Sequence, residues 1–195
     1  MTFVPTRRRL ITASAAVGVA LGFTRVAWGQ SQLTPACHDG DAPTLAETEG
    51  PFFKPRSPER ADLIEPGIKG RPIVLAGQVL DRGCKPLVHA LVDLWHADDN
   101  GDYDNKGFRL RGHVFTDAEG RYRFRTIVPA LYAGRTRHFH CKVQPAGGRL
   151  LTTQLYFPDE PMNRRDGLFR GELVMRMARA GEVLDGRFDF IVATH

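Results

Sequence analysis

From Pro72 to the C-terminus the apolar residues fall into short runs, each stopped by glycine, proline or aspartate, and that punctuation leaves no room for long helices. Ile73–Leu80 closes at Asp81-Arg82-Gly83, and Ala90–Trp95 is a second run. After Gly120, the segment Arg121-Tyr122-Arg123-Phe124-Arg125-Thr126-Ile127 alternates, which puts Tyr122 and Phe124 on one face of a strand. His138–Val143 and Leu150–Phe157 flank Gly147-Gly148 as a hairpin would. Phe188, Phe190 and Val192 mark a last strand, and Gly171–Ala180 fits either helix or strand. Strands this short at this spacing predict an all-β fold over residues 71–195, a two-sheet antiparallel β-sandwich with long loops. Residues 30–70 are rich in proline, glycine and charge with little periodicity. They read as an irregular N-terminal arm anchored at Glu49-Gly50-Pro51-Phe52-Phe53.

The first residues follow a different logic. Consecutive arginines in Thr6-Arg7-Arg8-Arg9-Leu10-Ile11 precede an uncharged run to Thr24, and Ala27-Trp28-Gly29 offers a small-x-small cleavage pattern. Residues 1–29 therefore predict a secretory signal of the twin-arginine type, a mature start at Gln30 and a periplasmic or secreted destination. A run of roughly 15 apolar residues is too short to span a bilayer, which takes about 20, so no stable membrane anchor is expected after cleavage. The formal charge of +5 comes from 27 basic and 22 acidic residues, and loss of Arg7, Arg8, Arg9 and Arg25 leaves 23 against 22. No basic block remains to hold nucleic acid. Cys37 and Cys84 either form a bridge pinning the arm to the body or stay as thiols, while Cys141, inside a strand pattern, reads as a small buried hydrophobe.

The residues that could carry chemistry centre on His138-Phe139-His140. Side chains at i and i+2 of a strand project to one side, so both imidazoles could meet one metal, or be two polar histidines on a sheet face. Tyr103, in the loop after the run ending at Trp95, and Tyr132, just past Ile127-Val128-Pro129, are half-buried loop aromatics or further donors. Two phenolates with two imidazoles would suit ferric iron better than zinc or copper. Arg135 is a surface arginine or a fixed cation beside the pair. Gln154 faces the site or merely satisfies a sheet neighbour. His38, His89, His96, His113 and His195 lack a partner at ligand spacing, and no phosphate loop, Ser-His-Asp arrangement or Cys-x-x-Cys pair is evident.

Taken together, these residues resemble the intradiol ring-cleavage dioxygenases, the protocatechuate, catechol and hydroxyquinol enzymes. The resemblance runs through Thr48-Glu49-Gly50-Pro51-Phe52-Phe53, Ala76–Asp81, Leu94-Trp95-His96-Ala97-Asp98, Gly101-Asp102-Tyr103, Asp117–Ile127, Tyr132–His140 and Leu151–Phe157. It implies that Tyr103, Tyr132, His138 and His140 bind non-haem Fe(III), with Arg135 and Gln154 around them. It also implies that a catechol-type substrate and O2 react there to give a muconate-type dicarboxylate, with Tyr132 the tyrosinate that substrate displaces. Phe139 stands where the family usually has an aliphatic residue, and Arg137 where a small one is common. Only six positions separate Tyr132 from His138, resembling a short secreted branch, and the expectation extends to a homo-oligomer as an open state of assembly. Gly77–Leu94 and Thr116–Tyr132 also resemble transthyretin-like sandwich domains, which imply a non-catalytic binding module; a zinc or copper hydrolase using the histidines alone is a third reading.

Overall fold

The computed structural model describes Met1, Cys37 and residues 42–194. The expected signal over residues 1–29, its cleavage point at Gln30, His38 and His195 lie outside the described residues, Met1 aside. From Ala42 on, everything described belongs to one compact unit.

Among the described residues, nine strands form two sheets. They are β1 Pro72–Leu80, β2 Leu91–Trp95, β3 Arg111–Phe115, β4 Arg121–Ile127, β5 His138–Gln144, β6 Leu151–Tyr156, β7 Arg176–Ala180, β8 Val183–Arg187 and β9 Phe190–Ile191. One sheet runs β4-β1-β8-β7 with β9 also on β1, and the other runs β3-β2-β5-β6. The hairpin expected around Gly147-Gly148 is present, with His138 opposite Tyr156 and Val143 opposite Leu151. The expected two-sheet β-sandwich is present, its strands paired antiparallel except at two of the pairings along β1. β1 pairs β8 and β9 in parallel, so the first sheet is mixed. The chain returns from β6 through two 3₁₀ turns, at Pro161–Arg164 and Gly171–Leu173, before β7 enters that sheet. Gly171–Ala180 is thus partly 3₁₀ and partly strand. The last strand is shorter than expected: Phe188 and Val192 stay buried but lie outside it.

The core lies between the sheets and follows the period-two rule. Tyr122, Phe124 and Thr126 of β4 point inward while Arg121, Arg123 and Arg125 are exposed. On β5 the inner residues are Phe139, Cys141 and Val143, packed with Val92 and Leu94 of β2 and Leu155 of β6. Cys141 is a fully buried thiol, and burial pushes its pKa up. His138, His140 and Lys142 therefore occupy the opposite, outer face. Strand register arranges that face in rows: Arg111–Trp95–His140–Gln154, and beside it His113–Asp93–Lys142–Thr152.

The arm covers this outer face. It bonds the β6 edge through Glu47 N–H to Thr152 O, and the β3 edge where Arg60 N–H meets His113 O and His113 N–H meets Pro58 O. It then reaches β4, where Leu63 N–H donates to Arg125 O and Arg125 N–H donates to Ala61 O. Between these ties, Phe53 packs on Trp95 and under the Lys142 ammonium, and Ser57 donates to Asp93. Edge strands that would otherwise offer unpaired backbone groups are closed in the same stroke. A Cys37–Cys84 disulfide, Cα–Cα 5.5 Å, pins the start of the arm to the turn after β1 and settles the open cysteine question.

Candidate metal centre

The centre of the outer face is the His138–His140 pair. His138 Nδ1 lies 2.6 Å from Thr136 O, so that nitrogen carries the hydrogen and leaves Nε2 a bare lone pair. The two Nε2 atoms face each other at 3.1 Å. That is the separation of two nitrogens bound at 2.0–2.1 Å to one ion at roughly a right angle. His140 stacks flat on Trp95, 5.0 Å between centroids and 7° between planes, and its buried Nδ1 has no hydrogen-bond partner. Burial lowers the pKa of His138 to about 4 and drives that of His140 well down, the neighbouring His138 adding to the effect. Both rings are thus neutral donors at neutral pH, which a metal requires.

Tyr103 brings its hydroxyl to 3.5 Å from His138 Nε2. Burial pushes its phenol above the ordinary value, while Arg135 and Arg111 pull the other way. The Tyr132 ring stands edge-on to Tyr103 at 5.5 Å and to Phe52 at 5.2 Å, and Phe52 stacks on Tyr103 at 4.4 Å. The loops bearing the two tyrosines are locked together. Asp98 Oδ1 accepts from Asn100 and Asp102 N–H, and Asp98 O accepts from Ala130 N–H. Gly101, at φ +92°, permits the close approach, since a Cβ there would stand 2.4 Å from Leu131 O. Gly50 of the arm, at φ +71°, is the roof of the pair: a Cβ would lie 3.2 Å from His140 Cε1.

Arg135 and Gln154 meet beside the histidines. Arg135 Nη2 donates to Gln154 Oε1 at 2.7 Å and its Nε pairs with Asp166 at 2.8 Å. Gln154 Nε2 in turn donates to Thr48 O of the arm. Burial alone would raise the Asp166 pKa; the bonds from Arg135 and from Leu168 and Thr136 N–H outweigh it and hold the carboxylate low. Tyr156 donates to Leu168 O and sits 3.1 Å from Gln154 Oε1. Asp166, Tyr156, Trp95 and Gly50 were not singled out from sequence. The glutamate-glycine-proline anchor was the signal for Gly50, but nothing local marks the other three.

The remaining expectations sort cleanly. Tyr103, His138 and His140 are in contact, Tyr132 is one ring away, and Arg135 and Gln154 form the flank. Arg137 does not add a free cation, because Pro129 O and Glu160 hold its guanidinium. His96 is a satisfied core histidine between Ala97 O and Thr126 Oγ1, and His89 stacks on Phe115. His113 meets Ser57 Oγ at 3.1 Å, and Ser57 donates to Asp93. The serine there sits between acid and imidazole, the wrong order for a nucleophile activated by a carboxylate-supported histidine. No group of three or more His, Cys, Asp or Glu able to hold a metal occurs among the described residues. The Tyr103 phenol stands beside the two imidazoles, and the Tyr132 ring stands against Tyr103.

Residues 48–192 match the family model described as Dioxygenase. The chain is 39% identical to the protocatechuate 3,4-dioxygenase beta chain of Burkholderia cepacia over 52% of its own length and 51% of that protein. It spans about half the length of the first curated relatives it matches. Among solved structures, the dioxygenase domain of a dioxygenase carbohydrate-binding protein fusion from the cellulolytic bacterium Streptomyces sp. SirexAA-E is 49% identical. That match has a TM-score of 0.77 and covers 79% of this chain and 100% of that one. The 3-chlorocatechol 1,2-dioxygenase of Rhodococcus opacus 1CP is 28% identical, TM-score 0.73, over 78% and 74% of the two chains.

Proposed function

The chain belongs to the intradiol ring-cleavage dioxygenase family, and from that premise we propose that it is a non-haem Fe(III) dioxygenase opening a catechol-type ring between its two hydroxylated carbons. The observation that carries the reading is the pair of imidazole Nε2 atoms at 3.1 Å with the Tyr103 hydroxyl at 3.5 Å, beneath the arm. Tyr103, Tyr132, His138 and His140 would hold the ion, an oxygen-rich donor set suited to a hard trivalent metal. Ferric iron, when bound, supplies a Lewis-acidic centre that accepts the catecholate oxygens and draws electron density from the ring.

The protein's own side chains do the rest. Tyr132, on a loop and only half-buried, would as a phenolate be the group that takes a proton from the incoming diol. Arg135, oriented by Asp166 and Gln154, places a permanent guanidinium where negative charge builds on the ring. Phe52 and the arm keep water from the aromatic face of Tyr103. Both atoms of O2 end in the dicarboxylate, so no external reductant is needed. Export to an oxidising compartment is part of the proposal, and the Cys37–Cys84 bridge supports it.

A visible spectrum of the purified protein with metal analysis tests the reading. Tyrosinate on ferric iron gives a red to burgundy charge-transfer band, and Tyr103→Phe is expected to weaken both colour and catechol turnover. A colourless protein carrying stoichiometric zinc would point to hydrolysis instead, and one that takes no metal after iron reconstitution to a binding module.

A further inference from the structure

Arg111 stands out on the outer face as a charged residue with no evident reason to be buried. It is 2% exposed, in register with Trp95 in the row that contains His140. Among the described residues no carboxylate forms an ion pair with it. Its Nη1 donates to Phe52 O at 2.6 Å and its Nε to Asp104 O at 3.1 Å, while the buried Nη2 has no partner. Both acceptors flank Tyr103. Asp104 is the next residue in the chain, and Phe52 carries the ring stacked on Tyr103 at 4.4 Å.

Resting on the ferric reading above, we propose that Arg111 is a positioning residue for Tyr103, fixing its backbone and its stacking partner with one guanidinium and placing a positive charge beside its ring. Burying a guanidinium without an anion is strongly unfavourable, so the site calls for a counter-charge. Three groups near Arg111 can be negative: Asp104, Tyr103 and Asp93. Asp104, bonded to the N–H groups of Lys106, Gly107 and Arg109, and Asp93, bonded to Ser57, supply that charge from a distance, so the guanidinium is left to grip the two carbonyls beside Tyr103. Arg135, the other cation acting on Tyr103, already has Asp166.

The test compares ferric-reconstituted wild type with Arg111→Met and Arg111→Lys. Without the adjacent cation the phenolate lone pair rises in energy, so the Arg111→Met charge-transfer maximum is expected to move to longer wavelength. Its iron loss to a chelator should be faster by roughly 10–100-fold, the range for groups that orient metal ligands. Arg111→Lys restores the charge but not the two-carbonyl grip and should fall between, with kcat for catechol reduced more than KM is raised. Circular dichroism checks that each variant is folded. If Arg111→Met does not fold, Arg111→Lys decides. Folded variants whose band and iron retention equal those of burgundy wild type overturn the proposal alone. A wild type that binds no iron overturns the ferric reading and this proposal with it.

Discussion

Gly101→Ala is the sharpest probe of how the two tyrosine loops are joined. The new Cβ would begin 2.4 Å from Leu131 O, and to reach even 3.0 Å the two backbones must part by about 0.6 Å. Leu131 adjoins Tyr132 and Gly101 lies two residues before Tyr103, so that movement is delivered to both expected ligands. The Asp98 bonds that rivet the turn cannot follow without lengthening. A left-handed alanine adds strain of its own, about 1–2 kcal/mol. Misplacement of reacting groups by about 1 Å can cost on the order of 100-fold in rate, so a loss of at least about tenfold in kcat is expected. Stability should fall by about 1–3 kcal/mol in urea titrations. Steady-state catechol turnover and the visible band, measured on iron-loaded protein of verified fold, read the outcome. A folded Gly101→Ala enzyme with wild-type band and kcat would refute the idea that this contact sets the tyrosine geometry.

Two further outcomes concern the scaffold. Burial raises the Asp93 pKa to about 6 despite the Ser57 hydrogen bond and the nearby His113, Lys142 and Arg111 charges. The folded state therefore holds its proton more tightly than the unfolded chain does, and stability present below about pH 4 is lost as pH rises through 6, by about 3 kcal/mol. Asp93→Asn removes that dependence, so the difference between wild-type and Asp93→Asn unfolding free energies should change across pH 4–7; a constant difference would dismiss the effect. The disulfide closes 47 residues, which in the chain-entropy account corresponds to about 4 kcal/mol, and Cys84→Ser should lower urea stability by up to that amount. An unchanged midpoint and slope would show that the arm stays docked without it.

The strands that sequence made legible are those with one face in the core. Arg121–Ile127 alternates because its arginines meet water, and the β5–β6 hairpin announces itself through Gly147-Gly148. β3 and β8 escaped notice for physical reasons. Arg111-Gly112-His113 is polar yet covered by the arm, so its composition imitates a loop, and Val183–Arg187 carries Asp185 and Gly186 within its span. Parallel pairing of β1 with β8 leaves no local mark, because register between strands so far apart is decided by packing. His138-Phe139-His140 was readable because two-residue spacing fixes projection. Asp166 was not, since its role depends on a turn that folds back onto Arg135.

Each strand of the β3-β2-β5-β6 sheet carries two separable messages, one on every second residue. Phe139, Cys141 and Val143 tell the chain how to collapse, while His138 and His140 address a surface that exists only once the arm is laid across it. Drift in that covering segment can remodel what enters the site without disturbing the collapse. The same division leaves the histidine pair and Tyr103 uncovered without Gly50 and Phe52, which no residue of the sheet replaces.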